Sequence, residues 1–326
     1  MNLFADVADQ YSAFAHDARD SPCFEEWATS VASDTEVKAW IATLPQIKQQ
    51  PNLVFAAARW NGVAAPGPYS GLRSALLDNP SPIRRTIMER ATQTNEVGRL
   101  ATLTPVFSQI GTESGRPLAL VEAGASAGLC LYPDRYNYDW SPHHRLKGAD
   151  GPLLVCQVSG EPPQPVRLPA IAWRSGLDLN PLDVNDDDAM AWLTNLVWPE
   201  QEERRSRLKS AIDIARNDPP YLVRGNILSD LRAQIDAAAP YGEVVVFHSA
   251  VIAYLTAEER GQFHALMTEL VAEGACRWVS NEASNVLPEI TATAPEAPRD
   301  RSTFVLGLNG QAVAWTHGHG ASMAWL

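Results

Sequence analysis

The segment from Val121 to Gly128 carries the residues with the clearest chemical potential in this chain. It continues the apolar run Leu118–Val121, and its sequence is Val-Glu-Ala-Gly-Ala-Ser-Ala-Gly. An acidic residue followed by spaced glycines predicts a turn from a strand into a helix, where the backbone approaches a nucleotide and free N–H groups meet an anion. The same letters fit Gly-x-Ser-x-Gly, the elbow that presents a nucleophilic serine in hydrolases.

The nucleotide interpretation assigns the ligand contacts to the turn itself. Glycines leave room for a close backbone approach, and the start of the following helix supplies N–H donors and partial positive charge for a carboxylate or phosphate. A tight turn that binds nothing would have the same sequence. The residues that we expect to contact a cofactor here are Glu122, Gly124, Ala125, Ser126 and Gly128.

Beyond residue 115, predicted strands alternate with predicted helices. Short apolar or β-branched runs indicate strands, and a long stretch from Asp186 to Ala215 indicates a helix. Two runs joined by Asn309-Gly310 predict an antiparallel hairpin that closes the chain. The alternation predicts an α/β fold with a parallel sheet, whose ligands sit at the carboxyl ends of the strands. The predicted strands are 118–121, 153–158, 171–173, 221–223, 243–247, 277–280, 303–308 and 311–315.

The first part of the chain is predicted to be helical. Apolar spacing after Asp34, a proline after Ser81, and the pattern from Thr94 to Ile110 all indicate helices, and no strand is evident. We expect a linker from Gly111 to Gly115. The domain prediction is a helical N-terminal region over 1–110 and a sheet domain over 111–326 with an insert around 147–217.

Composition narrows the class of protein. With 326 residues and 45% hydrophobic content, the chain can bury a large core. A net charge of -12 is a poor match to nucleic-acid phosphates, so we expect a small-molecule substrate. Four scattered cysteines show no metal or redox spacing and suggest buried fillers in a reducing compartment. With no signal-peptide pattern, and an apolar stretch at 244–255 too short to span a bilayer, we expect a cytoplasmic protein without membrane contact.

These features together resemble class I S-adenosylmethionine-dependent methyltransferases. That family has a helical lead-in, a Rossmann-like parallel sheet and a terminal antiparallel hairpin. Its first motif is matched by Glu122, Gly124 and Gly128, with Ser126 in place of the middle glycine. The chain is also similar to a bacterial family known only as a domain of unknown function, through its runs at 93–99, 124–129, 198–200 and 248–251.

The resemblance implies S-adenosylmethionine as cofactor and roles for residues after the next strands. Asp178, followed by Leu179, would accept the two ribose hydroxyls, although a turn aspartate before Pro181 would look the same. Asn226, followed by Ile227, would offer its amide to the adenine edge, or else form an Asx turn.

Three residues have candidate roles near the methyl group and the cofactor. His248 follows the strongest predicted strand and is a candidate general base, or a satisfied core histidine. Arg99 is a candidate partner for the cofactor carboxylate, or an i,i+3 partner of Glu96. Glu122 either holds the turn for the cofactor or is a buried structural carboxylate.

Two other functions stay open. A serine hydrolase would use Ser126 with His317 or His319, in the chain order of α/β-hydrolases, but the helical start of the chain disfavours it. A non-catalytic binding protein on the methyltransferase fold would explain why Ser126 and Asn226 depart from the motifs. His317 and His319 also suggest a metal, but no third ligand is near them in sequence, and a turn is the simpler interpretation.

Overall fold

The computed structural model describes residues 6–142, 144–148, 151–163, 167–296 and 303–326. The predicted insert around 147–217 reaches partly outside these ranges, at residues 149, 150 and 164–166. The chain divides into two compact units, one from Met1–Thr94 with Asp187–Ser206 and the other from Asn95–Asp186 with Arg207–Leu326. The predicted boundary near residue 110 falls inside a helix of the second unit.

The helical prediction for the first hundred residues is confirmed among the described residues. Capping side chains and prolines mark the first turns of several helices. Asp34 caps one helix by accepting the amides of Glu36 and Val37 at 3.0 and 3.1 Å, and prolines occupy the first turn of three others. The helices are α1 Val7–Asp17, α2 Pro22–Ser33, α3 Thr35–Ala42, α4 Pro51–Trp60, α5 Tyr69–Asp78, α6 Pro80–Glu89 and α7 Leu100–Ser114.

The remaining helices alternate with strands. The predicted helix over 186–215 is two helices, because Trp198-Pro199 interrupts it. They are α8 Asp187–Asn195, α9 Glu202–Asn217, α10 Leu231–Ala238, α11 Ala257–Ala272 and the short α12 Pro288–Thr291. The predicted linker at 111–115 is also wrong, since α7 runs through it and ends at left-handed Gly115, with φ of 65°.

The strands form one large mixed sheet and one small sheet. The strands are β1 Leu118–Ala123, β2 Asn137–Trp140, β3 His144–Leu146, β4 Leu153–Val155, β5 Gln157–Ser159, β6 Ile171–Asp178, β7 Tyr221–Arg224, β8 Glu243–Ser249, β9 Arg277–Ala283, β10 Thr303–Leu308, β11 Gln311–His317 and β12 Ser322–Trp325. The large sheet has the order β5-β12-β11-β10-β9-β8-β1-β6-β7, and the small one β3-β2-β4.

The centre of the large sheet is parallel and its order reverses at β1. Strands β7, β6, β1, β8 and β9 run in one direction, and the chain leaves β1 first toward β6 and β7, then toward β8 and β9. In open α/β sheets, ligands bind at the carboxyl ends of the strands where the strand order reverses. In this sheet that position lies between β1 and β8. The β10–β11 hairpin is confirmed, but it does not close the chain, because β12 adds antiparallel to β11.

The prediction of a single strand over 153–158 is wrong. Cys156 separates β4, which pairs with β2 in the small sheet, from β5, which pairs with β12 in the large sheet. Cys156 is fully buried, and its amide donates to Asp139 O at 2.9 Å. The backbone thus passes from the small sheet to the large sheet at Cys156, although the sequence on both sides of this residue has the pattern of one continuous strand.

Helices cover both faces of the parallel strands. Val244 and Val246 belong to an apolar cluster with residues of α10 and α11, whereas Phe247 meets Phe107 of α7 at a ring distance of 5.2 Å. Because side chains alternate along a strand, these two sets lie on opposite faces. All four cysteines are free and buried, as predicted.

Candidate functional site

The turn after β1 has an unusual backbone. Gly124, Ser126 and Gly128 all have left-handed conformations, with φ of 73°, 52° and 69°. This conformation is strained for Ser126, whereas a glycine would adopt it without strain. The amide of Gly124 donates to Leu177 O at 2.7 Å, and the amide of Gly128 to Ala125 O at 2.7 Å.

Protein side chains fill the space that the two glycines provide. A β-carbon on Gly124 would collide with the isopropyl group of Val251, and one on Gly128 would lie 2.8 Å from Pro220 Cγ. The glycines are thus required by packing between this turn and its neighbours. The ligand-free interpretation of the turn therefore has a concrete physical cause.

The helix expected after the turn is absent. Gly128 leads into a single 3-10 turn, Leu129–Leu131, and then into β2. The amide of Leu129 donates to Asn95 Oδ1 at 2.7 Å, so a side chain satisfies it. The prediction that a helix N-terminus contributes to anion binding at this turn is therefore wrong.

Asp178 connects the end of β6 to the turn after β1. Its Oδ2 accepts the amide of Ser126 at 2.8 Å, and its Oδ1 accepts the amide of Asn180 at 2.7 Å. Its backbone oxygen accepts the amide of Gly225, just after β7, at 2.9 Å. One half-buried aspartate thus joins the loops that follow three neighbouring strands.

Glu122 lies buried at the carboxyl end of β1. Its side chain is 5% exposed, and Oε2 has no hydrogen-bond partner among the described residues. Burial raises the pKa of Glu122 well above its ordinary value, the nearby charge of Asp178 adds to the rise, and the charge of Arg99 opposes it. This rise favours the protonated form of the carboxyl group, which can donate a hydrogen bond.

The residues expected at the adenosine end lie beside Asp178. Leu179 is 71% exposed, an unusual state for a leucine at the end of a central strand. Asn226 is exposed and its Oδ1 accepts the amide of Leu228 at 2.9 Å, so the predicted Asx turn is present. Its amide nitrogen donates to no described residue, and Ile227 is buried in the core cluster.

Arg99 reaches the end of β8 rather than Glu96. Its Nη1 donates to Ser249 O and its Nε to Gly318 O, each at 2.9 Å. Glu96 instead accepts the amide of Gly98 at 2.9 Å. The predicted pair with Glu96 is therefore not formed, and the guanidinium bridges two backbone carbonyls at the sheet edge.

His248 is enclosed in the core. Its ring is fully buried, Trp278 Nε1 lies 3.0 Å from its Nε2, and Glu282 Oε1 lies 2.7 Å from its Nδ1. Indole N–H only donates, so Nε2 is the acceptor and Nδ1–H donates to Glu282. Both nitrogens are used, which favours the satisfied core histidine over a general base.

Several polar residues at this edge carried no local sequence signal. Glu282 Oε1 also accepts the amides of Val251 and Ile252 at 3.0 and 3.2 Å, and so fixes the loop after β8. Asn281 is fully buried between Ser249 and Thr316. Only the order and register of the neighbouring strands β8 to β11 bring these residues together.

His317 and His319 form a turn between β11 and β12. The amide of His319 donates to His317 Nδ1 at 3.2 Å, and Gly320 N to His317 O at 2.9 Å. In the part of the chain that the structure describes, no three His, Cys, Asp or Glu side chains are arranged to hold a metal ion. The turn interpretation of this pair is therefore favoured.

The fold and site define an α/β protein whose mixed sheet gathers polar groups at the carboxyl ends of its parallel strands. The family model described as "Uncharacterized protein conserved in bacteria (DUF2332)" matches residues 8–325. The chain belongs to this bacterial family. No curated protein and no solved structure matches it. None of the helices in the described ranges has the length and apolar character needed to cross a membrane.

Proposed function

We propose that this protein binds S-adenosylmethionine and transfers its methyl group to a small molecule. The observation that carries the proposal is the hydrogen bond from the Ser126 amide to Asp178, which joins the β1 turn to the acidic residue after β6. This pair lies at the carboxyl ends of β1 and β6, and β1 is the strand at which the strand order reverses. The parallel order β7-β6-β1-β8-β9 supports a Rossmann-like, methyltransferase-like assignment.

The acceptor groups at this edge fit a ribose. Each oxygen of Asp178 accepts one backbone amide, and a carboxylate oxygen has two lone-pair directions. One position per oxygen is left for a hydroxyl, which suits a vicinal diol. The backbone bonds also hold the carboxylate in place before a ligand arrives, which reduces the ordering cost of binding.

The neighbouring groups fit the rest of the nucleotide. The exposed Leu179 offers an apolar surface to a base, and the amide nitrogen of Asn226 offers a donor to its edge. Glu122 Oε2 is buried and has no hydrogen-bond partner among the described residues, so it would accept a hydrogen bond from the amino group of the amino-acid end. The positive charge of that group would oppose the rise in the pKa of Glu122. Val251 would have to move for a ligand to touch Gly124, because its side chain fills that space.

Methyl transfer requires the protein mainly to position the reacting groups. S-adenosylmethionine supplies an activated methyl group when bound, so the chain has to hold the acceptor in line and keep water out. The net charge of -12 supports a small acceptor rather than a nucleic acid.

Titration calorimetry with S-adenosylmethionine and S-adenosylhomocysteine tests the proposal. We expect saturable heat with both, and ATP at the same concentration serves as the control for a general nucleotide site. A folded sample that gives no heat with either ligand would remove the cofactor from the account.

A serine hydrolase is the second candidate, and one observation favours it. Ser126 has φ of 52° inside Gly-x-Ser-x-Gly, and nucleophile elbows are strained turns of this kind. The elbow normally leads into a helix, whereas here a three-residue 3-10 turn follows. A fluorophosphonate probe that labels wild type but not Ser126→Ala would put this function first.

A binding protein without catalysis is the third candidate. It is favoured by Val251 and Pro220, which fill the space beside Gly124 and Gly128. Saturable cofactor binding without methyl transfer to any of a broad set of small acceptors would support this function over the first.

A further inference from the structure

A chain of three hydrogen-bonding side chains crosses the sheet below the end of β8. Thr316 Oγ1 donates to Asn281 Oδ1 at 2.7 Å, and Asn281 Nδ2 donates to Ser249 Oγ at 2.9 Å. Asn281 and Thr316 are at least 99% buried, because their exposed fractions are 0% and 1%. Buried polar groups of this kind adopt one arrangement, since any other leaves a donor or an acceptor unpaired.

The chain of bonds fixes the direction of the Ser249 hydroxyl. Because Asn281 donates to Ser249 Oγ, the hydroxyl proton must point away from Asn281. No described residue accepts that proton, and Ser249 is only half-buried. Ser249 thus presents an oriented donor at the carboxyl end of β8, beside the reversal of strand order.

Arg99 brings a positive charge to the same place. Its Nη1 binds the Ser249 carbonyl and its Nε the Gly318 carbonyl, while the Phe304 ring centre lies 6.0 Å from its guanidinium carbon. Its Nη2 donates to no described residue, and no carboxylate of the described residues forms an ion pair with it. The guanidinium is therefore held by two backbone carbonyls and not by an ion pair with any carboxylate in the described ranges.

We propose that Arg99 Nη2 and Ser249 Oγ form a binding site for the carboxylate of the methyl acceptor. Arg99 binds the carbonyl of the same residue that carries the hydroxyl donor. A guanidinium and a hydroxyl together suit a planar oxyanion, which accepts one bond on each oxygen. Asn281 and Thr316 are positioning residues that aim the hydroxyl. The assignment to the acceptor rests on the proposed function, whereas the carboxylate chemistry rests on these four residues alone.

Acetate is the probe for the carboxylate chemistry. The unfolding temperature is measured in sodium acetate against sodium chloride at equal ionic strength, for the full chain. We expect acetate to raise it in wild type, and Ser249→Ala and Arg99→Gln to weaken the apparent affinity at least tenfold. Thr316→Val should weaken the apparent affinity for acetate threefold or more, although Thr316 does not contact the ligand in the proposed site.

Two control variants match the changes in charge and hydroxyl. Arg116→Gln removes an exposed arginine just before β1, and Thr268→Val removes an exposed hydroxyl of α11. Both should keep the acetate effect of wild type. An acetate effect that is absent in wild type, or that survives in Ser249→Ala, would overturn the site.

Calorimetry with S-adenosylhomocysteine separates this site from the proposed function. We expect Ser249→Ala to bind it within twofold of wild type, because the acceptor site is separate from the nucleotide. A tenfold loss would overturn the assignment to the acceptor. If wild type fails to bind S-adenosylhomocysteine but shows the Ser249-dependent acetate effect, the proposed function fails and the carboxylate site stands.

Discussion

The side chain of Val251 occupies the space that a β-carbon on Gly124 would need. Gly124 also has a φ of 73°, so two independent effects require glycine there. Val251 is held in position by its amide, which donates to the buried Glu282 at 3.0 Å. The turn after β1 and the loop after β8 are therefore packed as one unit.

Replacing Gly124 with alanine should destabilise the protein through both effects. Left-handed strain and overpacking together predict a loss of about 2–4 kcal/mol in the free energy of unfolding, measured in urea. Gly115→Ala is the matched control, because φ is 65° there and nothing lies within 4 Å of the added carbon. It should cost only about 1–2 kcal/mol of strain.

A second substitution should restore the part of the stability lost in Gly124→Ala that comes from the collision with Val251. In the double variant Gly124→Ala/Val251→Ala, the collision disappears and the two changes should cost less together than the sum of the single changes. Strictly additive costs would show that Val251 does not fill this space in solution.

Glu122 should make stability depend on pH. Burial raises the pKa of Glu122 in the fold, so the folded protein holds a proton that the unfolded chain releases. The free energy of unfolding therefore falls as pH rises above the ordinary glutamate value, with a slope of at most about 1.4 kcal/mol per pH unit, until the folded pKa is passed.

Glu122→Gln should remove this dependence. Relative to wild type, the variant should gain stability as pH rises from the ordinary glutamate value toward neutral pH, until the folded pKa is passed, as followed by urea unfolding at each pH. Glu269→Gln, at an exposed position of α11, is the control and should show no such gain. A constant difference between Glu122→Gln and wild type across this range would mean that Glu122 is ionised in the fold.

His248 should matter for stability and not for binding. His248→Ala removes a buried ring and leaves Trp278 Nε1 without its acceptor, which predicts a loss of about 3–5 kcal/mol in the free energy of unfolding. His264→Ala, which removes a half-buried ring that also contacts Trp278, should cost under about 1 kcal/mol. A stable His248 variant that has lost methyl transfer would restore the general-base role.

Much of the large sheet could be predicted because its strands are β-branched runs bounded by turns. Val244–Val246 and the Asn309-Gly310 hairpin are examples in which local sequence and tertiary structure agree. The small sheet could not be predicted, since β3 and β4 have only three residues each. The continuous pattern across Cys156 hides a change of sheet that depends on distant partners.

The candidate site was predictable only in part, for a similar reason. Glu122 and Asp178 follow apolar runs, so their place at the strand ends can be inferred from sequence. The bond between Ser126 and Asp178 and the contact between Arg99 and Ser249 depend on strand order and register, which no local pattern encodes. The tautomer of His248 depends on Trp278, 30 residues away.

The affinity of S-adenosylhomocysteine for Asp178 variants tests the account most directly. Asp183→Ala is the control, because Asp183 is an exposed turn aspartate that accepts the amide of Asn185 at 2.9 Å. By titration calorimetry, Asp178→Ala should lose about 1–3 kcal/mol of binding free energy, or about 5- to 150-fold in affinity, while Asp183→Ala binds like wild type. Equal affinity of wild type and a folded Asp178→Ala would contradict the account.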